Sequence, residues 1–279
     1  MAIENIKTKN PFIDLHSHLQ FVDFDDDREE IISKMKENNV IAINVGTDEK
    51  SSRDGIDLCK KHRGVLWSTV GLHPLSSDQN YDIEKLLEDK DLKNDISGIG
   101  ECGLDYFRIL GDENSDANYE ENIIKIKDFQ KEIFINQINM SIKYDIPLML
   151  HVRDSYRETL EILYENFKGV VKEYKGNVHF FAGTIEEAKA FLDLGFSISF
   201  TGVITFVKSY EDLVRFVPIE KMFAETDSPY VSPAPFRGQK NNPNNVIEIY
   251  KKIAEIKNID INDVIDTFYD NARKHWIKS

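Results

Sequence analysis

Short apolar runs recur along the chain at residues 11–18, 40–47, 66–74, 95–105, 146–154, 177–184, 196–202 and 221–230. Runs of this length and continuity predict strands of a parallel sheet that is buried on both faces. Between several of them the period changes to that of a helix. Tyr156, Leu160, Leu163, Tyr164 and Phe167 fall on one stripe, and Ala188, Phe191 and Leu192 form a shorter one. Val246, Ile249, Tyr250, Ile253 and Ile256 make a third stripe, and Val264, Ile265, Phe268, Tyr269, Ala272 and Trp276 a fourth. Helices with one apolar face are what a sheet needs to cover it. Eight strands alternating with helices predict an α/β fold, a single (β/α)8 TIM barrel over residues 1–279, rather than an open doubly wound sheet. No glycine-rich dinucleotide fingerprint argues for the open alternative. The stretch from Arg108 to Lys127 breaks the alternation. It is polar and acidic, and reads as a long exposed insertion after strand 4 leading into a helix through about Lys143.

Composition narrows the choice of class. With 17 Phe and 11 Tyr the chain has large apolar bodies for a core, which excludes disorder over most of it. Two lone cysteines exclude a disulfide framework and suit a reducing compartment. No run approaches the roughly 18 apolar residues of a membrane helix. The opening MAIENIKTKN lacks a signal peptide's apolar segment. The expectation is a cytoplasmic enzyme with no membrane partner and no obligatory protein partner. The net charge of −14 repels nucleic acid at long range. Two bound divalent ions would restore about four positive charges locally.

The unusual chemistry lies in the histidines. Of seven, five (His16, His18, His73, His151 and His179) fall at or just beyond the C-terminal ends of predicted strands. That rim is where barrel active sites lie. His62 and His275 sit elsewhere, on helix surfaces. A single histidine on the rim would be read as a packing or surface residue; five together ask for a common purpose. His16 and His18 close strand 1 as H-x-H, and strand alternation points both to one face. Glu101 ends strand 4 among Gly98, Gly100 and Gly103. A carboxylate inside a barrel is costly unless paired or bound to metal. Asp227, in AETDSPY on strand 8, is a second such carboxylate. Glu225 shares its face and reads as a hydrogen-bonding residue behind it. His16, His18, Glu101, His151, His179 and Asp227 together suit Zn, Mn, Fe or Ni better than Ca. Six ligands can serve two ions if one carboxylate bridges them, and two ions about 3.5–4 Å apart clamp a phosphate. Cys102 should face away from Glu101 and pack. No G-x-S-x-G elbow or Walker loop offers a competing chemistry.

The segments FIDLHSHL, VGLHP, GIGECGLDY, IPLMLHVRD, VHFFAGT, ISFTGVITF and AETDSPYVSPAPFRGQKNNP occur in this order. They resemble the TatD-type metal-dependent deoxyribonucleases, within the amidohydrolase-like barrel superfamily, from about Phe12 to Pro243. The resemblance implies two divalent metal ions (Zn, Mn, Mg, Fe or Ni). His16, His18 and Asp227 would hold one, His151 and His179 the other, and Glu101 would bridge. It implies Glu101, Asp227 and His73 as catalytic residues, with Asp227 as proton acceptor. His73, Arg153 and Arg237 would contact substrate phosphate. The chain departs from the family pattern at Gln20, Cys102, Ala182 and Asn242 and in its longer insertion, none of them an expected ligand. The implied activity is a 3′-to-5′ deoxyribonuclease acting on DNA, on single strands or 3′ ends, through a metal-activated water. Hydrolysis of another ester or amide, such as an aminoacyl-tRNA ester, is the alternative on the same barrel. A non-catalytic metal-binding barrel is a third.

Overall fold

A computed structural model describes residues 6–76, 81–92, 94–109 and 119–277. Eight parallel strands stand side by side in chain order. They are β1 (Phe12–Ser17), β2 (Val40–Asn44), β3 (Leu66–Val70), β4 (Ile96–Asp105), β5 (Leu148–Arg153), β6 (Gly176–Val178), β7 (Phe196–Phe200) and β8 (Met222–Ala224). Helices α1 (Arg28–Glu37), α2 (Glu49–Lys61), α3 (Ile83–Glu88), α4 (Tyr119–Tyr144), α5 (Tyr156–Phe167), α6 (Ile185–Asp193) and α7 (Glu211–Phe216) fall between them. Two more, α8 (Val246–Lys257) and α9 (Ile261–His275), follow the last strand. This is the alternation that the apolar pattern predicts, wound into a nearly closed (β/α)8 barrel. Among the described residues no helix is long and apolar enough to cross a membrane.

The local reasons are ordinary ones. Asp48 and Ser51 cap α2 reciprocally, as Thr184 and Glu187 cap α6, satisfying backbone donors that a helix start leaves open. The strands β1, β2 and β7 are buried along their length on both faces, and the few polar residues they carry, such as Ser197 and Ser199 of β7, are buried too. The apolar stripes of α8 and α9 are buried against the barrel. The Tyr250 hydroxyl, in α8, donates to the Ile13 carbonyl and accepts the Ile13 N–H, both at 3.0 Å.

Expectations change at several element ends and on one helix face. Strands β6 and β8 are three residues each, much shorter than the apolar runs 177–184 and 221–230. Phe180 and Asp227 have φ of 43° and 52°, a left-handed backbone that an extended strand does not tolerate. His179 and Asp227 therefore sit on turns past the strand ends, and Asp227 is not on strand 8. Residues 119–127 form the first turns of α4 rather than an insertion; of the insertion itself, residues 110–118 lie outside the described residues. Tyr164 completes the periodic stripe of α5 yet is 64% exposed, because α5 buries a narrower face than the sequence offers.

The seam between β8 and β1 closes through the residues that follow β8. The Asp227 N–H donates to the His16 carbonyl and the His18 N–H to the Ser228 carbonyl, both at 2.9 Å. Near the opposite, N-terminal end, Trp276 is fully buried, and its indole N–H donates to the Tyr174 hydroxyl at 2.7 Å. A Cβ on Gly98 would stand 2.7 Å from the Trp276 ring, so glycine there makes room for the tryptophan. Trp276→Ala should lower the unfolding free energy by about 3–5 kcal/mol. Chemical denaturation followed by tyrosine fluorescence and far-UV circular dichroism measures this. A loss below about 1 kcal/mol would show that the indole is not a core plug.

Candidate metal centre

Glu101 is the hub of the C-terminal end of the barrel. Strand β4 loses regular register with β5 between Ile99 and Cys102, and there the Glu101 N–H donates to the Gly46 carbonyl at 2.6 Å. The side chain is buried, and its two oxygens face different histidines. Oε2 stands 3.6 Å from His16 Nε2 and 3.8 Å from His18 Nε2. Oε1 stands 2.7 Å from His151 Nδ1 and 2.8 Å from His179 Nε2. Asp227 Oδ1 completes the first group, 3.8 Å from His16 Nε2 and 3.7 Å from His18 Nε2. The six expected metal ligands are thus brought together, in two groups that share one carboxylate.

Hydrogen bonds aim the imidazoles. His18 Nδ1 lies 2.8 Å from the Val45 carbonyl, which can only accept, so Nε2 is left with its lone pair turned inward. His151 Nε2 lies 3.0 Å from Asp105 Oδ2, which leaves Nδ1 to face Glu101. His179 Nδ1 lies 3.3 Å from Glu225 Oε1, an ion-pair contact without hydrogen-bond geometry. Carboxylates behind histidines in this way fix ring orientation and raise ligand basicity. Glu225 does what its position suggested, and it is itself held by the Ser199 hydroxyl at 2.6 Å and by the Phe180 N–H at 2.6 Å.

The backbone that presents Asp227 is clamped from two sides. The Thr226 N–H donates to buried Asp14 Oδ1 at 2.7 Å. Asn241 donates through Nδ2 to the Thr226 and Tyr230 carbonyls at 2.9 and 2.7 Å. Burial pushes the Asp14 carboxyl well above the usual range. The hydrogen bonds that Asp14 accepts from Thr226 oppose that shift and anchor the loop.

The electrostatics ask for a cation. Burial opposes ionisation of Glu101, but His179, His73, His151 and His16 around it hold its carboxyl well below the ordinary value. Burial likewise opposes charge on Asp227, and His18 and His16 outweigh it. Burial works against a proton on His179, yet Glu101 and Glu225 hold that imidazole well above its usual value. His16 Nε2 and His18 Nε2 meet at 3.1 Å; two lone pairs at that distance repel unless a proton or a cation lies between them. Ligands about 2.1 Å from one ion stand roughly 3.0–3.4 Å apart in octahedral or tetrahedral sites. In each of the sets His16–His18–Glu101 and Glu101–His151–His179 the ligand atoms lie within 4.8 Å of one another. Imidazole and carboxylate in these numbers suit a transition-metal or zinc ion.

His18, Glu101, His151, His179 and Asp227 line a cleft of about 940 Å³. His73 stands on its wall, Nε2 3.7 Å from Glu101 Oε1. Its Nδ1 accepts the Leu75 N–H at 3.1 Å, so Nε2 carries the proton. Burial, with help from His151, lowers its pKa to about 3, and His73 is a neutral N–H donor at physiological pH. Arg153 lines the cleft with its guanidinium 3.9 Å from the centre of the exposed Phe107 ring. Arg237 does not line it. That guanidinium stacks on Phe206 at 3.9 Å and donates to the Ser232 carbonyl at 2.8 Å. Cys102 is buried 3.6 Å from the Met149 carbonyl, and burial pushes its thiol well up; it packs as expected. Asp105 is the residue that sequence reasoning passed over. The signal was present, since Asp105 follows Glu101 by four positions on one strand, an even spacing that puts both on one face.

Comparison with known proteins agrees with this architecture. Residues 13–276 match the family model described as TatD related DNase. The uncharacterized metal-dependent hydrolase YcfH of Escherichia coli (strain K12) is 31% identical over 265 residues, covering 93% of each chain. The uncharacterized metal-dependent hydrolase YabD of Bacillus subtilis (strain 168) is 29% identical over 265 residues, covering 94% of this chain and 97% of its own. The crystal structure of the TatD homologue YjjV from Escherichia coli K12 superposes with a TM-score of 0.80 at 23% identity, covering 95% of this chain and 97% of that one. A TatD-family hydrolase structure from Entamoeba histolytica gives 0.79 at 22% identity, with 97% and 99% covered. These two share the fold. With nearly its whole length matched to one family model, this chain belongs to the TatD related DNase family.

Proposed function

We propose that the chain is a metal-dependent phosphodiesterase that removes nucleotides from the 3′ end of single-stranded DNA. The observation that carries this reading is the division of the Glu101 carboxylate between two histidine groups. His16, His18 and Asp227 would hold one divalent ion, His151 and His179 a second, with Glu101 between them. Divalent ions so held activate water and neutralise charge on a phosphate. Asp227, held below its ordinary pKa and open to the cleft, would accept the proton of the attacking water at a carboxylate oxygen as the P–O3′ bond breaks, and return it to the departing 3′-oxygen. His73 donates its Nε2–H to a phosphate oxygen without bringing a charge that would repel the ions. Arg153 has no carboxylate partner among the described residues, and its guanidinium is free to pair with phosphate. The net charge of −14 favours a short strand end, which needs few phosphates neutralised, over a long duplex.

A 5′-labelled single-stranded oligonucleotide tests the reading directly. Metal-reconstituted protein should shorten it stepwise from the 3′ end, and Glu101→Ala should slow this by at least about a hundredfold. An intact oligonucleotide at confirmed metal occupancy, together with turnover of an ester substrate, would replace the nuclease reading with ester hydrolysis. Two or three neutralised phosphates give a salt slope of about −1.4 to −2.1 in log affinity against log salt. A slope steeper than about −5 would contradict a short contact.

Acid should release metal. Burial lowers the pKa values of His151 and His179, but the carboxylates beside them (Asp105 and Glu101, and Glu101 and Glu225) raise both above the ordinary imidazole value. Without metal these rings keep protons to a higher pH than a free imidazole does. Their contribution to stability is complete below the ordinary value and is lost as pH rises through the raised one. A divalent ion must displace these protons. Loading at pH 7 should therefore release protons, and affinity should fall as pH is lowered. Calorimetry in two buffers of different ionisation enthalpy reads both; absence of proton release at pH 7 would show the rings to be neutral beforehand.

A further inference from the structure

Two glutamines on the inner face of α4 repeat one unusual contact. Gln130 and Gln137 are each 1% exposed. Gln130 accepts the Asp105 N–H at Oε1, 3.0 Å away, and donates from Nε2 to the Asp105 carbonyl at 3.1 Å. Gln137 accepts the Leu72 N–H at 2.9 Å and donates to the Leu72 carbonyl at 3.0 Å. In each case one primary amide closes a ring with both backbone groups of one residue.

The strands explain why an amide is needed at both places. The N–H and C=O of one residue in a strand point to the same side, toward the neighbouring strand. Strand β3 ends at Val70, opposite Ile99. Past that point β4 departs, and Glu101 turns its N–H to Gly46 instead. Leu72 has lost its ladder neighbour on that side, and so has Asp105, which pairs with β5 through Arg153 on its other side. Buried peptide groups require partners. A glutamine side chain is a peptide amide on a long stem, with one donor and one acceptor side by side. The two lie seven positions apart, about two helical turns and about 10.5 Å. Helix α4 thus serves as the missing strand.

What is held matters. Leu72 immediately precedes His73, and Asp105 is the carboxylate that orients His151. We propose that Gln130 and Gln137 are positioning residues of the metal centre. Gln130 sets the His151 ligand through Asp105, and Gln137 sets the His73 donor through the backbone of Leu72. The inference rests on the metal-binding role proposed for His151 and the phosphate-binding role proposed for His73.

Three variants of the full chain test it, with Zn²⁺ affinity read by chelator competition in the absence of substrate. Gln130→Met should weaken the more weakly held of two ions about 10–100-fold and leave the other unchanged. Gln137→Met should retain both ions and lower kcat more than it raises KM. Phe134→Leu is the control, because Phe134 is buried on α4 between the glutamines. It should lower the melting temperature and leave affinity and kcat as in the unmodified chain. Should Gln130→Met fail to fold, Gln130→Glu, which keeps the acceptor and loses the donor, is read in the same way. Unchanged Zn²⁺ affinity in the Gln130 variant that folds, or an equal loss in Phe134→Leu, would overturn the proposal. Because affinity is measured without DNA, an enzyme that binds two ions and cleaves no oligonucleotide would count against the nuclease reading alone.

Discussion

One buried negative charge organises this molecule. Glu101 is 4% exposed at the middle of a barrel mouth, where an unpaired carboxylate would be strongly unfavourable. Every nearby element supplies something to offset it. Strand β1 and its extension bring His16 and His18, β5 brings His151, the turn after β6 brings His179, and the segment after β3 brings His73. These imidazoles would in turn crowd and repel one another without further carboxylates. Asp105, Glu225 and Asp227 answer that need from the other side. The result is a nest of alternating charge tendencies that is stable only with cations, whether protons or metal ions, at its centre.

The barrel itself was legible because its strands are buried on both faces and announce themselves as apolar runs. The candidate ligands stand out for a related reason: polar residues at the ends of such runs have no packing role to hide behind. What the sequence concealed is local backbone geometry. The run 221–230 reads as one strand, but the left-handed turn at Asp227 breaks it after Ala224. Nothing in residue type distinguishes a buried turn held by Asp14 and Asn241 from a buried strand held by neighbours. Arg237 shows the same limit in reverse. Its residue type suits phosphate, yet a local aromatic ring and a local carbonyl have already claimed its guanidinium. Asp105 could have been found by its spacing from Glu101, whereas Gln130 and Gln137 could not, since their partners are backbone groups that every residue possesses.

The interior of α4 also explains how a barrel tolerates an irregular strand at its most important position. A regular β4 would satisfy all its ladder bonds and would leave Glu101 no reason to turn toward Gly46. The departure from register creates the hub and strands two peptide groups. Side-chain amides then restore what the ladder lost. Gly103 belongs to the same arrangement, because a Cβ there would clash with the His151 carbonyl and its φ of 139° suits glycine alone.

The seam that closes the barrel has a consequence for how the protein is made. It joins His16 to Asp227 and His18 to Ser228, partners separated by most of the chain. Closing so long a loop is entropically costly and earns its reward only after the intervening strands are aligned. A growing or partly folded chain can bring Glu101, His151 and His179 together early, since they lie on elements close in sequence. It cannot assemble the group formed by His16, His18 and Asp227 until the last strand arrives. The candidate group of His16, His18 and Asp227 thus depends on contacts between the two ends of the sheet, whereas Glu101, His151 and His179 depend on contacts closer along the chain.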